Sequence, residues 1–355
     1  MKGLEFPIIG TKTREVTKKF DINSPEGRKK YFEAKVGNEI AVIRKYLDNR
    51  TFVAYLIGKK NSGKGTYSQI FTEIFGDGKV SLVSIGDIVR NVSGNWDNFK
   101  KSEKYEKLKK LYRGYLSFDD ACDALTGRST GKLLPTEFVL ALLKLHIQEL
   151  KGRTLFIDGL PRETDQVSYS LFFRDLIDYR DDPDMFILID IPESVIDERI
   201  KYRVVCPECK NTRNIKLLIT RRIEYDEKQG KYHLLCDSPR CKGGHRMLPK
   251  EGDNLGIVPI RSRLDKDEEI LRKAFALHGI PKILLRNHVS VAESKKFFDD
   301  YEITPEYSFK REKGRIKVIE KPWTIKDDNG IKSVSLLSAP VVVALLKQLA
   351  DILEI

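Results

Sequence analysis

The spacing of apolar side chains divides the chain into alternating helices and strands. Phe32, Val36, Ile40, Ile43 and Leu47 recur at steps of 4, 4, 3 and 4, one face of an amphipathic helix. Ser24-Pro25-Glu26 marks its start with an N-cap, a proline pre-set for the first turn and an acid. Residues 1–24 read as a polar lead-in broken by Pro7 and Gly10. Thr51–Ile57 is a buried strand followed by a glycine-rich turn and a helix, and Val80–Ser84 is a second strand. Val139, Leu143, Ile147 and Leu150 share one side of a helix expected from Pro135 to Leu150. Thr154–Ile157 and Met185–Ile191 are further strands, with a helix near 165–177 between them. A helix beyond Leu264 runs to about His278, followed by a less regular stretch. Short strands near Arg315–Ile319 and Lys332–Ser335 and a helix over Pro340–Leu353 complete the pattern, which contains no internal repeat.

Strands alternating with helices in this way predict an α/β core with a parallel sheet. At 355 residues the chain has room for two or three folded units. No apolar run approaches the ~20 residues of a membrane span, and Met-Lys-Gly-Leu-Glu-Phe-Pro lacks the apolar stretch of a signal peptide. The expectation is a cytoplasmic, monomeric protein without a membrane partner. Charged residues make up 33% of the chain and the net charge is +12, which points to an anionic partner. Residues 201–250 hold thirteen Lys or Arg against five Asp or Glu, a local excess of +8. Cys206, Cys209, Cys236 and Cys241 fall in the same window and only Cys122 lies outside it. That concentration suits a metal site in a reducing compartment better than a disulfide framework. Residues 91–115 interleave seven basic residues with Trp96, Phe99, Tyr105 and Tyr112. Such a pattern can bind nucleic acid, but a solvated helix face with its aromatics turned inward is the favoured reading.

Three constellations carry chemistry. Gly58-Lys59-Lys60-Asn61-Ser62-Gly63-Lys64-Gly65-Thr66 lies between a strand and a helix. Backbone N–H groups, a helix N-terminus and the Lys64 cation then converge as a phosphate cradle. Asp158 ends a short apolar strand and is followed by Gly159-Leu160-Pro161-Arg162. An Asp so placed is where a phosphate-loop enzyme holds Mg²⁺, usually through water. Arg90, Arg162, Arg199, Arg203, Arg261 and Arg263 form a set suited to phosphate oxygens, with Arg199 and Arg203 four apart on one helix face.

The loop with Lys64-Gly65-Thr66, then Ser84-Ile85-Gly86-Asp87-Ile88-Val89-Arg90, Gly131-Lys132-Leu133-Leu134, and Asp158-Gly159-Leu160-Pro161-Arg162 with Gln166 resembles the adenylate kinase branch of the nucleoside monophosphate kinases. The resemblance covers roughly Phe52 to Lys273. It implies a P-loop three-layer core with an inserted acceptor-binding domain and a lid. The implied division is an extension with a long helix at 1–50, core at 51–85, acceptor insertion at 86–150 and core at 151–204. The lid at 205–256 and a core helix with a C-terminal extension at 257–355 follow. Gly58, Asn61, Ser62, Gly63, Lys64, Gly65 and Thr66 would cradle ATP, with Lys64 on the transferred phosphoryl group. Arg199 would lie over the donor adenine, and Arg203 would reach its phosphates. Arg90 and Arg162 would hold the acceptor phosphate, Ile85 and Gly159 would line its site, and Gln166 would read its base. Arg261 and Arg263 belong to the late clamp, and Asp158 and Asp87 would orient hydrated Mg²⁺.

Departures are present. Asn61 stands at a usual glycine position, where Asn tolerates a left-handed backbone. Ile85 replaces a common Thr, and Lys250 stands near an expected lid arginine. Some family lids are pinned by four metal ligands. Here Cys206-x2-Cys209 and Cys236-x4-Cys241 are separated by 26 residues, a spacing that suits one tetrahedral structural zinc, with His233 or His245 as alternatives for one ligand. The reaction implied is ATP plus AMP giving two ADP, with Mg²⁺. The alternatives are another acceptor (GMP, UMP, CMP or a deoxynucleotide) or a nucleotide-gated RNA-binding protein of the same fold. Nucleic acid is not the favoured partner.

Overall fold

The structure is a computed structural model that describes residues 3–13, 18–127, 134–150, 152–161, 183–238, 241 and 244–353. Ser24 caps the first helix, α1 (Pro25–Leu47), by accepting the Gly27 N–H. The five apolar residues of its expected face are all buried, and the helix bends at Val36. The core then alternates through β1 (Val53–Gly58), α2 (Lys64–Phe75), β2 (Val80–Ser84) and α3 (Ile85–Gly94). Short helices α4 (Trp96–Lys100), α5 (Glu103–Leu111) and α6 (Phe118–Leu125) lead to α7 (Thr136–Ile147). After β3 (Thr154–Asp158) and β4 (Asp184–Asp190) comes α8 (Glu193–Lys201). The helix expected near 165–177 lies outside the described residues.

The cysteine-bearing segment forms short strands: β5 (Arg203–Val205), β6 (Thr212–Asn214), β7 (Arg222–Asp226), β8 (Lys231–Leu235) and β9 (Leu248–Pro249). Helix α9 (Arg261–Ala276) returns the chain to the core, where β10 (Lys282–Arg286) adds an edge strand. The remaining segment comprises β11 (His288–Ser290), α10 (Val291–Phe297), β12 (Pro305–Glu312), β13 (Arg315–Pro322), β14 (Ile325–Lys326), β15 (Lys332–Ser335) and α11 (Ser338–Leu353).

The central sheet has five parallel strands in the order β10-β4-β1-β3-β2. Alternate residues of β1 enter two different cores, as a strand covered on both faces requires. Ala54 and Leu56 pack with α1, α2 and α11, while Val53, Tyr55 and Ile57 pack with α7 and α9. Parallel register brings Leu56 opposite Asp158, Ser84 opposite Asp158, and Gly58 opposite Ile189. The carboxyl ends of β1, β2, β3 and β4 therefore open onto one edge, the usual ligand edge of such a sheet. The α/β expectation with a parallel P-loop-type sheet holds.

The interleaved stretch at 91–115 turns its rings inward. Trp96, Phe99 and Tyr105 pack on one another, Tyr105 meets Phe118, and Tyr112 meets Phe138. The less regular stretch after His278 holds strands that apolar periodicity did not reveal. β10 has only Ile283, Leu284 and Leu285 between charged ends. β13 covers the strand expected near Arg315–Ile319, while its partner β12 is too polar to stand out; the two form a hairpin pairing Lys310 with Lys317 and Phe309 with Val318.

Candidate active site

The loop between β1 and α2 closes tightly: Ser62 N–H donates to the Lys59 carbonyl at 3.1 Å. Asn61 takes the left-handed conformation at φ 65 and Gly63 lies at φ 105, immediately before α2 begins. A Cβ on Gly63 would stand 2.8 Å from the buried Tyr67 ring, so glycine is needed there for space as well as for backbone freedom. Ser62 Oγ is buried without a hydrogen-bond partner, an orphaned hydroxyl inside the loop. Gly65 and Thr66 are exposed in the first turn of α2.

Lys64 opens α2 and bends back over the loop. Its Nζ donates to the carbonyls of Gly58 at 2.7 Å and Lys59 at 3.2 Å, and stands 3.9 Å from Asp158 Oδ1. Burial lowers its pKa, and the Asp158 and Asp267 carboxylates oppose that shift. Asp267 accepts the Lys60 N–H at 2.8 Å and pairs with Arg263 at 2.9 Å. Burial raises its pKa against the pull of Arg263 and Lys64. Two carboxylates thus face the loop lysine from β3 and α9, and Arg263 stands behind one of them.

The arginines separate into paired and unpaired. Arg203 is bidentate to Asp253, with both contacts at 2.6 Å. Arg261 pairs with Glu193, and Arg90 pairs with Asp87 on an exposed part of α3. Arg199 is different. It donates to the Asn61 carbonyl at 3.3 Å and to Asn287 Oδ1 at 3.4 Å, and it hydrogen-bonds Tyr67. It has no carboxylate partner among the described residues, and burial lowers its pKa. Its charge is therefore met only by neutral groups and is left without a compensating carboxylate among the described residues.

Lys64, Asp158, Arg199 and Arg263 therefore gather at the loop. Ile85 is buried at the start of α3, and Gly159 follows Asp158 at φ 97. Arg162 and Gln166 lie outside the described residues, as do Gly131, Lys132 and Leu133. Lys250 is exposed, while Asp253 near it meets Arg203. Sequence reasoning missed Lys59, Tyr67, Asp267 and Asn287. Only Asp267 carried a signal, four residues after Arg263 on one helix face.

Cys206, Cys209, Cys236 and Cys241 converge, with all four sulfurs within 4.8 Å of one another. Two tight turns present them: Lys210 N–H donates to the Cys206 carbonyl at 3.1 Å, and Cys241 N–H to the Ser238 carbonyl at 2.9 Å. Cys206 and Cys241 sulfurs are 3.6 Å apart, and those of Cys209 and Cys236 are 3.5 Å apart. Tetrahedral zinc with ~2.3 Å bonds would set its sulfurs ~3.8 Å apart, so the cluster fits that ion. The Asn211 backbone N–H draws the Cys209 thiol down to about 7, whereas burial pushes Cys236 and Cys241 up, so the crowded cluster does not hold four negative charges without a cation. Neither His233 nor His245 joins this cluster among the described residues. His245 serves through its carbonyl, which accepts the Cys236 N–H at 2.8 Å.

Sheet, loop and clustered cations define an α/β fold of the P-loop nucleotide-kinase type. The chain is 28% identical over 246 residues to an adenylate kinase of Syntrophomonas wolfei, covering 69% of this chain and 94% of that one. It is 28% identical over 224 residues to an adenylate kinase of Thermotoga maritima, covering 62% and 84%. A mitochondrial GTP:AMP phosphotransferase of Drosophila melanogaster is 30% identical over 155 residues, 43% of this chain and 57% of that one. No family model matches the chain. The resemblance to adenylate kinases thus extends over much of the chain, and these homologues mark an adenylate kinase-like phosphotransferase. Among the described residues no helix is long and apolar enough to cross a membrane.

Proposed function

We propose that the protein transfers the γ-phosphoryl group of ATP to a nucleoside monophosphate, with AMP the foremost acceptor. The observation that carries this reading is the pair of cations at the loop. Lys64 lies over the loop carbonyls. Arg199, expected over the donor adenine, hydrogen-bonds the Asn61 carbonyl of the same loop and has no carboxylate of its own among the described residues, which supports a phosphate contact instead. The donor's phosphates would sit on the backbone N–H groups at the start of α2, with Lys64 released from the Gly58 carbonyl toward them. Arg203 and Arg261 would exchange Asp253 and Glu193 for phosphate oxygens, and Arg263 would complete the clamp. Arg90 and Arg162 would take the acceptor phosphate, with Ile85 and Gly159 against its nucleoside and Gln166 at its base.

Asp158, a partly exposed carboxylate facing Lys64, has the hard oxygen donors that suit Mg²⁺, with Asp87 as a second contributor. The ion would neutralise charge on the transferring group. No general base is required, because the acceptor oxygen is already anionic. The chain's own work is positioning, charge neutralisation and exclusion of water. The cysteine cluster would hold a structural Zn²⁺ that shapes the basic segment over residues 205–256 into a lid.

ADP formation with MgATP or MgGTP as donor and AMP, GMP, CMP, UMP and their deoxy forms as acceptors tests the reading. The expected outcome is steady turnover with AMP. Nucleotide binding without turnover of any monophosphate, together with salt-steep RNA affinity, would instead establish the nucleotide-gated RNA-binding alternative.

A further inference from the structure

Asn287 follows β10 at the carboxyl edge of the sheet and is 1% exposed. Its side chain has two hydrogens to donate and two lone pairs to fill. All four are used. Nδ2 donates to the Tyr67 hydroxyl at 3.0 Å and to the Leu336 carbonyl at 3.1 Å, while Oδ1 accepts from Ser335 Oγ at 2.8 Å and from Arg199 at 3.4 Å. The backbone is fixed as well: Asn287 N–H donates to the Asp190 carbonyl at 3.0 Å, and its own carbonyl accepts the Leu336 N–H at 2.8 Å. A side chain so fully committed has one orientation, and it turns its oxygen toward Arg199.

We propose that Asn287 is a positioning residue of the donor site, holding Arg199 beside the phosphate loop with neutral dipoles so that the guanidinium charge stays available for an anionic phosphate chain. The proposal rests on the donor-site reading above. Its physical content is a contrast with the other arginines. Arg203, Arg261 and Arg263 each face a carboxylate. An arriving phosphate must displace that carboxylate or share the cation with it. Arg199 is held by the Asn61 carbonyl, the Tyr67 hydroxyl and an amide, none of which cancels its charge. An aspartate at 287 would have nearly the same shape and would cancel it. Asn287 directly follows β10 of the central sheet and Ser335 ends β15, so this part of the donor site joins the core sheet to the segment that follows it.

The test compares Asn287→Asp with Asn287→Ala, reading the affinity of the full-length protein for MgATP and for inorganic tripolyphosphate by titration calorimetry. AMP affinity and the melting temperature are followed in parallel. Alanine removes all four side-chain hydrogen bonds yet leaves Arg199 uncancelled, so it is expected to weaken donor binding by about threefold. Aspartate is expected to weaken it by about tenfold or more, because a charge now faces a charge at short range. AMP affinity should stay unchanged in both. Aspartate also turns an acceptor toward the Leu336 carbonyl where Nδ2 donated, so the melting temperatures are weighed with the affinities. A merely structural role makes alanine at least as costly as aspartate, or makes the donor loss follow the fall in melting temperature across the two variants, or spreads the loss to AMP. Any of these results overturns the proposal. If the aspartate variant does not fold, the alanine variant decides alone: a loss confined to ATP and tripolyphosphate supports the role, and no loss or a shared loss overturns it. A wild-type protein that binds neither ATP nor tripolyphosphate removes the donor-site reading and the proposal together. Normal wild-type binding with the wrong order of variants removes the proposal only.

Discussion

Lys59 of the phosphate loop stands 3.7 Å from Asp328, a carboxylate in the turn between β14 and β15 near the far end of the chain. The lysine side chain is 2% exposed and also meets Glu268 at 2.8 Å and Glu193 at 3.1 Å. Burial disfavours its charge, yet the surrounding carboxylates prevail and its pKa lies above the usual lysine range. Asp328 accepts the Glu193 N–H at 2.9 Å, so the same residue joins the start of α8. Lys59→Met would leave the carboxylates facing one another around a buried gap. A loss of ~3 kcal/mol of stability is expected, against ~1 kcal/mol for Asp328→Asn, where the other two acids remain to the lysine. Urea unfolding measures both, and a methionine variant as stable as wild type would show that the cluster is held by something other than this cation.

Lys64→Ala is expected to slow turnover by ~10²–10³, on the order of 3–4 kcal/mol of barrier, because it removes one preorganised donor to transferring charge. The fold should persist. Among the described residues Lys64 Nζ hydrogen-bonds loop carbonyls and faces Asp158 at the edge of the sheet, and it is no part of the apolar cores on either sheet face. A coupled ADP assay with circular dichroism on the same sample separates the two effects. Wild-type turnover in a folded variant excludes Lys64 from the phosphoryl site.

What the sequence made legible follows from what leaves a periodic mark. The α1 face repeats every helical turn, so Phe32, Val36, Ile40, Ile43 and Leu47 could be read one after another, and all are buried. Val80–Ser84 was bounded by its own apolar run, and the paired cysteines by their short spacing. Glycines mark a turn by themselves, so the loop was visible before its geometry was. Tyr67, Asn287 and the partners of Lys59 left no such mark. Each is a polar group or an aromatic whose role depends on contacts made across the sheet edge, such as Asn287 with Tyr67 or Lys59 with Asp328. β10 was hidden by brevity, and β12 by its charges, although its partner β13 was legible near Arg315–Ile319.

Acid should weaken the protein before its carboxylates titrate. His288 is 2% exposed between Asp190 at 3.9 Å and Asp327 at 3.6 Å. Burial lowers its pKa to about 4, with Arg286 adding to that direction and the two aspartates opposing it. A histidine whose folded pKa lies below its unfolded value contributes stability that is complete above the unfolded value, ~6.5, and is lost as pH falls toward the folded one. The expected loss approaches ~1.4 kcal/mol per pH unit within that window. Glu193 and Glu268 have pKa values lowered below the usual carboxylate range, so their contribution is lost at lower pH. Unfolding free energies of wild type and His288→Gln between pH 7 and 5 check this: the variant should have the flatter profile, and parallel slopes would exclude His288.

The cysteine cluster gives the last expectation. The small core beside it contains Val204, Leu234 and Met247 as its fully buried apolar residues besides two of the cysteines themselves. So little apolar area cannot order a segment of this length, and metal ligation would supply the missing folding energy. Four thiolates and Zn²⁺ together carry −2, which leaves the segment's +8 at about +6, still strongly attractive to a nucleotide triphosphate. Four protein ligands leave no open position for water or substrate, so the ion should support structure and take no part in the chemistry. Elemental analysis of untagged protein purified under reducing conditions should find about one zinc per chain. Cys206→Ser should lower the melting temperature and bring turnover down through poor closure, while Lys64 and Asp158 stay in place. Cys241→Ser tests the fourth ligand against His245, whose carbonyl is engaged with Cys236 N–H. Undiminished zinc affinity in Cys241→Ser with loss in His245→Ala would transfer the fourth position to the histidine, and metal-free wild type would remove the site altogether.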